Sequence, residues 1–258
     1  MKLALVQFAP VFGDLQSSMQ KLELLLQKAK DADLIVLPEM ANTGYNFDSK
    51  KQAYALSEPA QNSLFVEFLI NQCKRYNFAL VTGFAEKEGE KLYNSALLID
   101  ESGVVSTYRK LHLFMNEKNI FEAGDIDLEV IDYKGTKLGM LVCFDWMFPE
   151  AWRKLALQGA ELILHPSNLV LPYAQSVIPS YALVNRMYIA TANRVGSEKD
   201  LTFTGQSVIA GCKGEILAKA GVETEEVLMV DIDPSLALNK MITPLNDAFE
   251  DRRTDKYE

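Results

Sequence analysis

Short apolar or β-branched runs alternate with amphipathic segments along this chain. KLALVQFA opens it, a helical pattern covers about 17–30, DLIVLPE follows, a second helical pattern covers about 60–76, and FALVTGFAE closes the first group. The rhythm resumes with KLYNSALLI, VVSTYRK and KLGMLVCFD, a helix over about 149–158, AELILHPSN, a helix over about 174–186, and MYIATANRV. Alternation of this kind predicts an α/β fold. Two hairpin-like strands, in SVIAGCKGEILAKA and EVLMVDID, are expected to close the core, with Gly211 and Gly214 bracketing Lys213 at the first turn. No Pro/Gly/Ser-rich linker or low-complexity tract divides the chain, so one domain over 1–258 is expected.

Composition narrows the function classes. Of 258 residues 48% are hydrophobic and 24% charged, the balance of a soluble globular protein with a large core. A net charge of -9 argues against nucleic acid or an anionic membrane as partner, since both select basic surfaces. Small molecules or proteins are the expected partners. Cys73, Cys143 and Cys212 are an odd number at wide spacing, which suits free thiols in a reducing compartment, so a cytoplasmic location is expected. MKLALVQFAPVFGD is apolar only briefly before Gln7, Pro10 and Asp14, and no run approaches the roughly 18 apolar residues of a membrane span, so no targeting or spanning segment is expected.

Three apolar runs end in groups that carry chemistry: LIVLPE on Glu39, STYRK on Lys110 and LGMLVC on Cys143. Ligands of open α/β sheets gather at such strand ends. Each residue also has a plain reading: a carboxylate facing solvent, an edge lysine, and a small buried hydrophobe. The surrounding segments change the balance. LPEMANTGYNF (37–47), YRKLHLFMNEKNIFEAGD (108–125), GMLVCFDWMFPE (139–150), HPSNLVLPY (165–173), NRMYIATANRVG (185–196) and NDAFEDRRTDKY (246–257) follow one another in an order that resembles the nitrilase superfamily of carbon-nitrogen hydrolases.

That resemblance implies a four-layer αββα sandwich and a Glu-Lys-Cys triad, which falls on Glu39, Lys110 and Cys143. It places an additional active-site glutamate on Glu117, with Glu122 as its rival in the same segment. A thiol is only a few per cent ionised at neutral pH and needs a base or a cationic neighbour. A Cys-His pair using His112 or His165 is open on composition, but a buried glutamate beside a second one is the better base. Lys110 and the backbone N–H of Phe144 would stabilise the anionic oxygen formed on attack. Pro149, near the start of the following helix, places that helix's N-terminus close to the sulfur, which favours thiolate.

Tyr45, Trp146, Asn168 and Leu169 lie next to motif residues and are expected in the pocket wall. No metal or organic cofactor is expected, and H-E-x-x-H, paired C-x-x-C, P-loop and G-x-G-x-x-G patterns are absent. Phe144-Asp145 after the cysteine is similar to amidase-like members, so the expected substrate is a small aliphatic amide. A nitrile is second, because a related archaeal-type group sharing C-F-D-W-x-F-P-E is assigned to nitriles. N-carbamoyl hydrolysis and a non-catalytic scaffold of the same fold complete the alternatives. The resemblance also implies a homodimer or an assembly of dimers. In it the tail, residues 244–258, reaches a partner subunit through Leu245, Phe249 and Tyr257, with Arg252 and Arg253 paired to the neighbour's acids.

Overall fold

The computed structural model describes residues 1–257, the last of them by its backbone alone. Its frame is two six-stranded sheets. The first contains β1 (Lys2–Gln7), β2 (Leu34–Val36), β3 (Ala79–Glu88), β4 (Lys91–Asp100) and β5 (Gly103–Arg109). The second contains β6 (Ile131–Tyr133), β7 (Thr136–Met140), β8 (Leu162–Pro166) and β9 (Tyr188–Ala192). A small ribbon of β10 (Ser197–Glu198) and β11 (Leu201–Thr202) precedes β12 (Val208–Ala210) and β13 (Ile216–Lys219), which extend the second sheet. β14 (Glu226–Asp231) then returns to the first, giving the orders β14-β1-β2-β3-β4-β5 and β13-β12-β9-β8-β7-β6. The three central strands of each sheet are parallel and their neighbours antiparallel.

Alternate residues of the first sheet serve two different cores. Leu3, Leu5, Leu34, Val36, Val81 and Leu98 face the second sheet, whereas Ala4, Val6, Ile35, Leu80, Leu97 and Ile99 face helices. Those helices are α1 (Leu15–Lys28), through Leu22 and Leu26, and, beyond the short α2 (Lys50–Leu56), α3 (Leu64–Tyr76), through Phe65 and Leu69. The single-turn α4 (Glu117–Ile120) leads to the second half, where α5 (Pro149–Leu157) and α6 (Ala174–Asn185) cover the second sheet with Trp152, Leu155, Ile178 and Ala182. The layers are therefore αββα. Strands buried on both faces read as continuous apolar runs, which is why the sequence shows runs and little strict alternation. Each fully buried Leu or Phe contributes roughly 1.5–3 kcal/mol.

Local signals set the helix limits. Asp14 accepts the N–H of Ser17 at 2.9 Å to start α1, Ser63 accepts that of Val66 at 3.1 Å to start α3, and Asn77 ends α3 in the left-handed region. The segment EVLMVDID departs from the expected hairpin. β14 pairs with β1, Lys2 opposite Asp231, because its apolar residues complete the first sheet's edge. Among the described residues no helix is long and apolar enough to cross a membrane.

The tail folds back as a hairpin of β15 (Met241–Thr243) and β16 (Asn246–Asp247), followed by α7 (Thr254–Tyr257). Phe249 is half-buried under the cations of Arg153 and Lys240, at 5.0 and 4.8 Å, whereas Leu245 is 89% exposed. Arg253 pairs with Asp255 of its own tail at 2.9 Å. The side chain of Tyr257, expected as an anchor, lies outside the described residues.

Candidate active site

β5 lies two antiparallel steps from β3 and so runs in the direction of β2. Glu39, three residues past β2, and Lys110, directly after β5, therefore emerge at one edge of the first sheet. Two glycines permit the close approach. A Cβ on Gly83 would lie 2.2 Å from the Glu39 Cα, and one on Gly124 would lie 2.1 Å from the Arg109 carbonyl oxygen.

Cys143 does not end its strand. β7 stops at Met140, and Cys143 opens a tight 3-10 turn over Cys143–Met147 with φ of 43°, a left-handed conformation that a side chain disfavours. Fixed partners hold it there. Asp145, fully buried, accepts from the Val142 N–H and the Tyr108 hydroxyl, both at 2.8 Å, from the His112 N–H at 3.2 Å, and contacts His112 Nδ1 at 2.7 Å. His165 Nε2 meets the Cys143 carbonyl oxygen at 3.0 Å, so this nitrogen carries the proton and Nδ1 accepts from the Thr191 hydroxyl, also at 3.0 Å.

Between the sheets lies a buried charge cluster. Lys110 Nζ donates to Glu39 Oε1 at 2.9 Å and to Glu117 Oε1 at 2.8 Å. Asn94 Nδ2 donates to Glu39 Oε1 at 2.6 Å, and Asn168 Nδ2 to the Glu39 carbonyl at 2.9 Å. Glu39 Oε2 has no hydrogen-bond partner among the described residues, which leaves one carboxylate oxygen uncommitted. Glu117 Oε1 also accepts from the Tyr45 hydroxyl at 2.5 Å, and its Oε2 from the Phe114 N–H at 3.1 Å. The rival Glu122 lies at the surface in an ion pair with Lys50 at 3.1 Å.

Burial raises the Cys143 pKa well above the thiol value, and Glu39 and Glu117 add to this more than Lys110 and the Asn168 N–H offset it. The resting group is a thiol. A thiol held this way needs a base before it can attack. Burial also raises Glu117, against the pull of Lys110. For Lys110, burial disfavours the ammonium, but the Glu117 and Glu39 carboxylates override it and its pKa stands well above the usual lysine value. His165, desolvated, drops to about 4 and is neutral near pH 7.

The expected wall residues divide between two cavities. Phe144, Trp146, Asn168 and Leu169 line a void of about 20 Å³ beside Cys143. Tyr45 and Glu117 line a chamber of about 220 Å³ next to it. Sequence reasoning missed Asn94, Asp145 and Glu198. Glu198 pairs with Arg194 and accepts the N–H groups of Tyr45 and Asn46 at 2.9 and 2.8 Å, fixing the loop that carries Tyr45. Polar residues inside apolar or aromatic runs, LYNSALL and CFDWMF, were the available signal for the first two. Cys73 and Cys212 are buried away from these cavities, and burial pushes the Cys73 thiol up to about 12. Among the described residues no group of three or more His, Cys, Asp or Glu side chains is arranged to hold a metal ion.

The chain belongs to the carbon-nitrogen hydrolase family, which matches residues 2–238. It is 43% identical to a nitrilase from Pyrococcus abyssi, over 99% of this chain and 98% of that one. It is 32% identical to an (R)-stereoselective amidase from a Pseudomonas species, over 96% and 91%. Among solved structures, an amidase from Nesterenkonia sp. AN1 that carries acrylamide, added to its active-site cysteine, aligns with a TM-score of 0.85 at 29% identity, covering 100% of this chain and 98% of the other. The protein is accordingly a hydrolase of carbon-nitrogen bonds other than peptide bonds.

Proposed function

We propose that this protein hydrolyses a short aliphatic amide to the carboxylic acid and ammonia. Cys143 is the nucleophile, Glu39 the general base and acid, Lys110 the oxyanion donor, and Glu117 the group that positions Lys110. The observation that carries this reading is the buried Lys110 ammonium, 2.9 Å from Glu39 and 2.8 Å from Glu117, beside a protonated thiol. A protonated thiol needs a base at the moment of attack, and Glu39 Oε2 is uncommitted.

The cycle follows from these groups. As the sulfur attacks the amide carbon, its proton passes to Glu39 and the carbonyl oxygen becomes anionic against Lys110 and the Phe144 N–H. Glu39 then returns the proton to nitrogen, the C–N bond breaks, and ammonia leaves a thioester. Water attacks that carbon while giving its proton to Glu39, and the C–S bond breaks to release the acid and regenerate the thiol. The proton that regenerates the thiol is the one Glu39 took from this water. A related structure of the Nesterenkonia amidase, at 29% identity and a TM-score of 0.84, holds butyramide, which supports a short acyl group. The 43% identity to a nitrilase favours a second reading, in which the thiol adds to a nitrile carbon and two waters complete conversion to acid and ammonia.

The test is ammonia release from a panel of short amides and nitriles by wild type and Cys143→Ala. Turnover of amides that disappears in the variant is expected. Turnover of nitriles alone selects the second reading, and a variant that keeps wild-type release removes Cys143 from the mechanism. A thiol-reactive amide analogue should label Cys143, with Cys73 and Cys212 unmodified.

A further inference from the structure

The space beside Cys143 narrows to about 20 Å³, whereas the chamber on the Glu117 side measures about 220 Å³. Phe114 and Val170 line both, so they are the wall between the two. An apolar cavity of roughly 150 Å³ takes up benzene. The chamber thus has room for a ring: Phe47, Ile120, Phe121 and Leu201 give it an aromatic and aliphatic side, and Asn46, Asn116 and Asp200 a polar rim. The reaction described above touches only its near edge, at Tyr45 and Glu117.

The wall is fixed in place. The Phe114 N–H donates to Glu117 Oε2 at 3.1 Å, and its carbonyl accepts the Glu117 N–H at 3.0 Å. Its ring packs on Phe144 with centroids 4.9 Å apart. Met115 beside it sits at φ of 46°, a left-handed turn that aims the two residues apart from an extended path. A residue clamped at both backbone groups and one ring face is a fixed narrowing where the two spaces meet.

We propose that Phe114, with Val170, determines acyl-chain specificity by closing the acyl subsite short of this chamber. Wild type then favours short aliphatic amides, and the chamber is a latent subsite for a ring-bearing acyl group. The proposal rests on Cys143 being the nucleophile, because the size limit is measured from that sulfur.

The experiment compares kcat/KM for butyramide and 3-phenylpropanamide in wild type, Phe114→Ala, Val170→Ala, and Phe114→Ala combined with Leu201→Trp. One methylene of fit in an apolar pocket is worth roughly 10–200-fold. The ratio of ring-bearing to short amide should therefore rise at least tenfold in Phe114→Ala, rise less in Val170→Ala, and fall back when Leu201→Trp refills the chamber. A ratio within twofold of wild type in both single variants, or a wild type that already prefers 3-phenylpropanamide, overturns the proposal. Calorimetric binding of 3-phenylpropanamide in the Cys143→Ala background separates this from the function reading. There, tighter binding on adding Phe114→Ala supports the size limit whether or not amides are turned over, and unchanged binding overturns it. Circular dichroism identifies a misfolded Phe114→Ala, in which case the Val170→Ala ratio decides.

Discussion

Lys110 and His165 are buried ionisable groups held in opposite states. The Lys110 ammonium persists because Glu117 and Glu39 outweigh its desolvation, and an always-charged donor is what a developing oxyanion requires. Lys110→Met should lower kcat by roughly 100-fold or more, on the order of 3 kcal/mol of transition-state stabilisation. Ammonia release at saturating amide checks this, and an unaltered kcat would return Lys110 to a structural role. His165 is kept neutral by burial, its pKa falling from 6.5 to about 4. On acidification the unfolded chain takes up this proton first, so the contribution to stability is complete above pH 6.5 and is lost as pH falls through 4. The size is roughly 3 kcal/mol. Urea midpoints of wild type should therefore drop more steeply between pH 6.5 and 4 than those of His165→Gln, whose amide can still donate to the Cys143 carbonyl. Parallel curves would refute it.

Among elements, the decisive connection is the Asp145 carboxylate. It joins the end of β5, through Tyr108, to the 111–112 segment, through His112, and to the turn carrying Cys143, through Val142. Lys110 and Cys143 are thus referenced to one buried acid. Asp145→Ala leaves the Val142 and His112 N–H groups and the Tyr108 O–H without their acceptor, at about 1–3 kcal/mol for each that stays buried and unsatisfied. The melting temperature should fall by several degrees and kcat with it, while Asp145→Asn, which retains one acceptor oxygen, should recover part of both. Thermal denaturation and ammonia release measured together test this, and loss of stability with full kcat would show that the turn keeps its geometry unaided.

Asp145 also marks where the sequence stops being informative. Glu39, Lys110, Glu117 and Cys143 were legible because each sits in a local motif, and the paired runs around them gave the α/β rhythm. Two partners of Asp145, Tyr108 and His112, lie more than thirty residues before it, so their convergence on its turn exists only after folding. The same holds for β14, whose partner β1 is more than two hundred residues away and whose apolar run alone looked like half of a local hairpin. α2 escaped notice because KKQAYAL is short and weakly apolar, and its Ser49 cap is its clearest signal.

At the scale of the whole molecule, one face has more apolar surface than isolated exposed residues explain. Leu183 and Val184 on α6, Leu236 and Leu238 after β14, and Met241, Ile242 and Leu245 around the tail hairpin are all exposed. Lys240 ties these parts together by donating to the Arg186 carbonyl at 3.0 Å, at the end of α6, while lying under the Phe249 ring. Single exposed leucines need no account, but clustered ones mark association. We propose a two-fold dimer in which this face, with the tail, meets its own copy, an isologous contact in which each tail reciprocates the other. Truncation after Thr243 removes Leu245 and Phe249, and Leu183→Glu places a charge on the face without touching the tail. Both should shift the mass seen by light scattering at micromolar concentration from dimer towards monomer. Activity should fall in the truncated form if the tail, through Phe249 and Arg153 of α5, steadies the helix that follows the Cys143 turn. A full-length protein of monomer mass, or variants of unaltered mass, would show that the face serves some other contact and that the tail's packing on its own chain is its whole role.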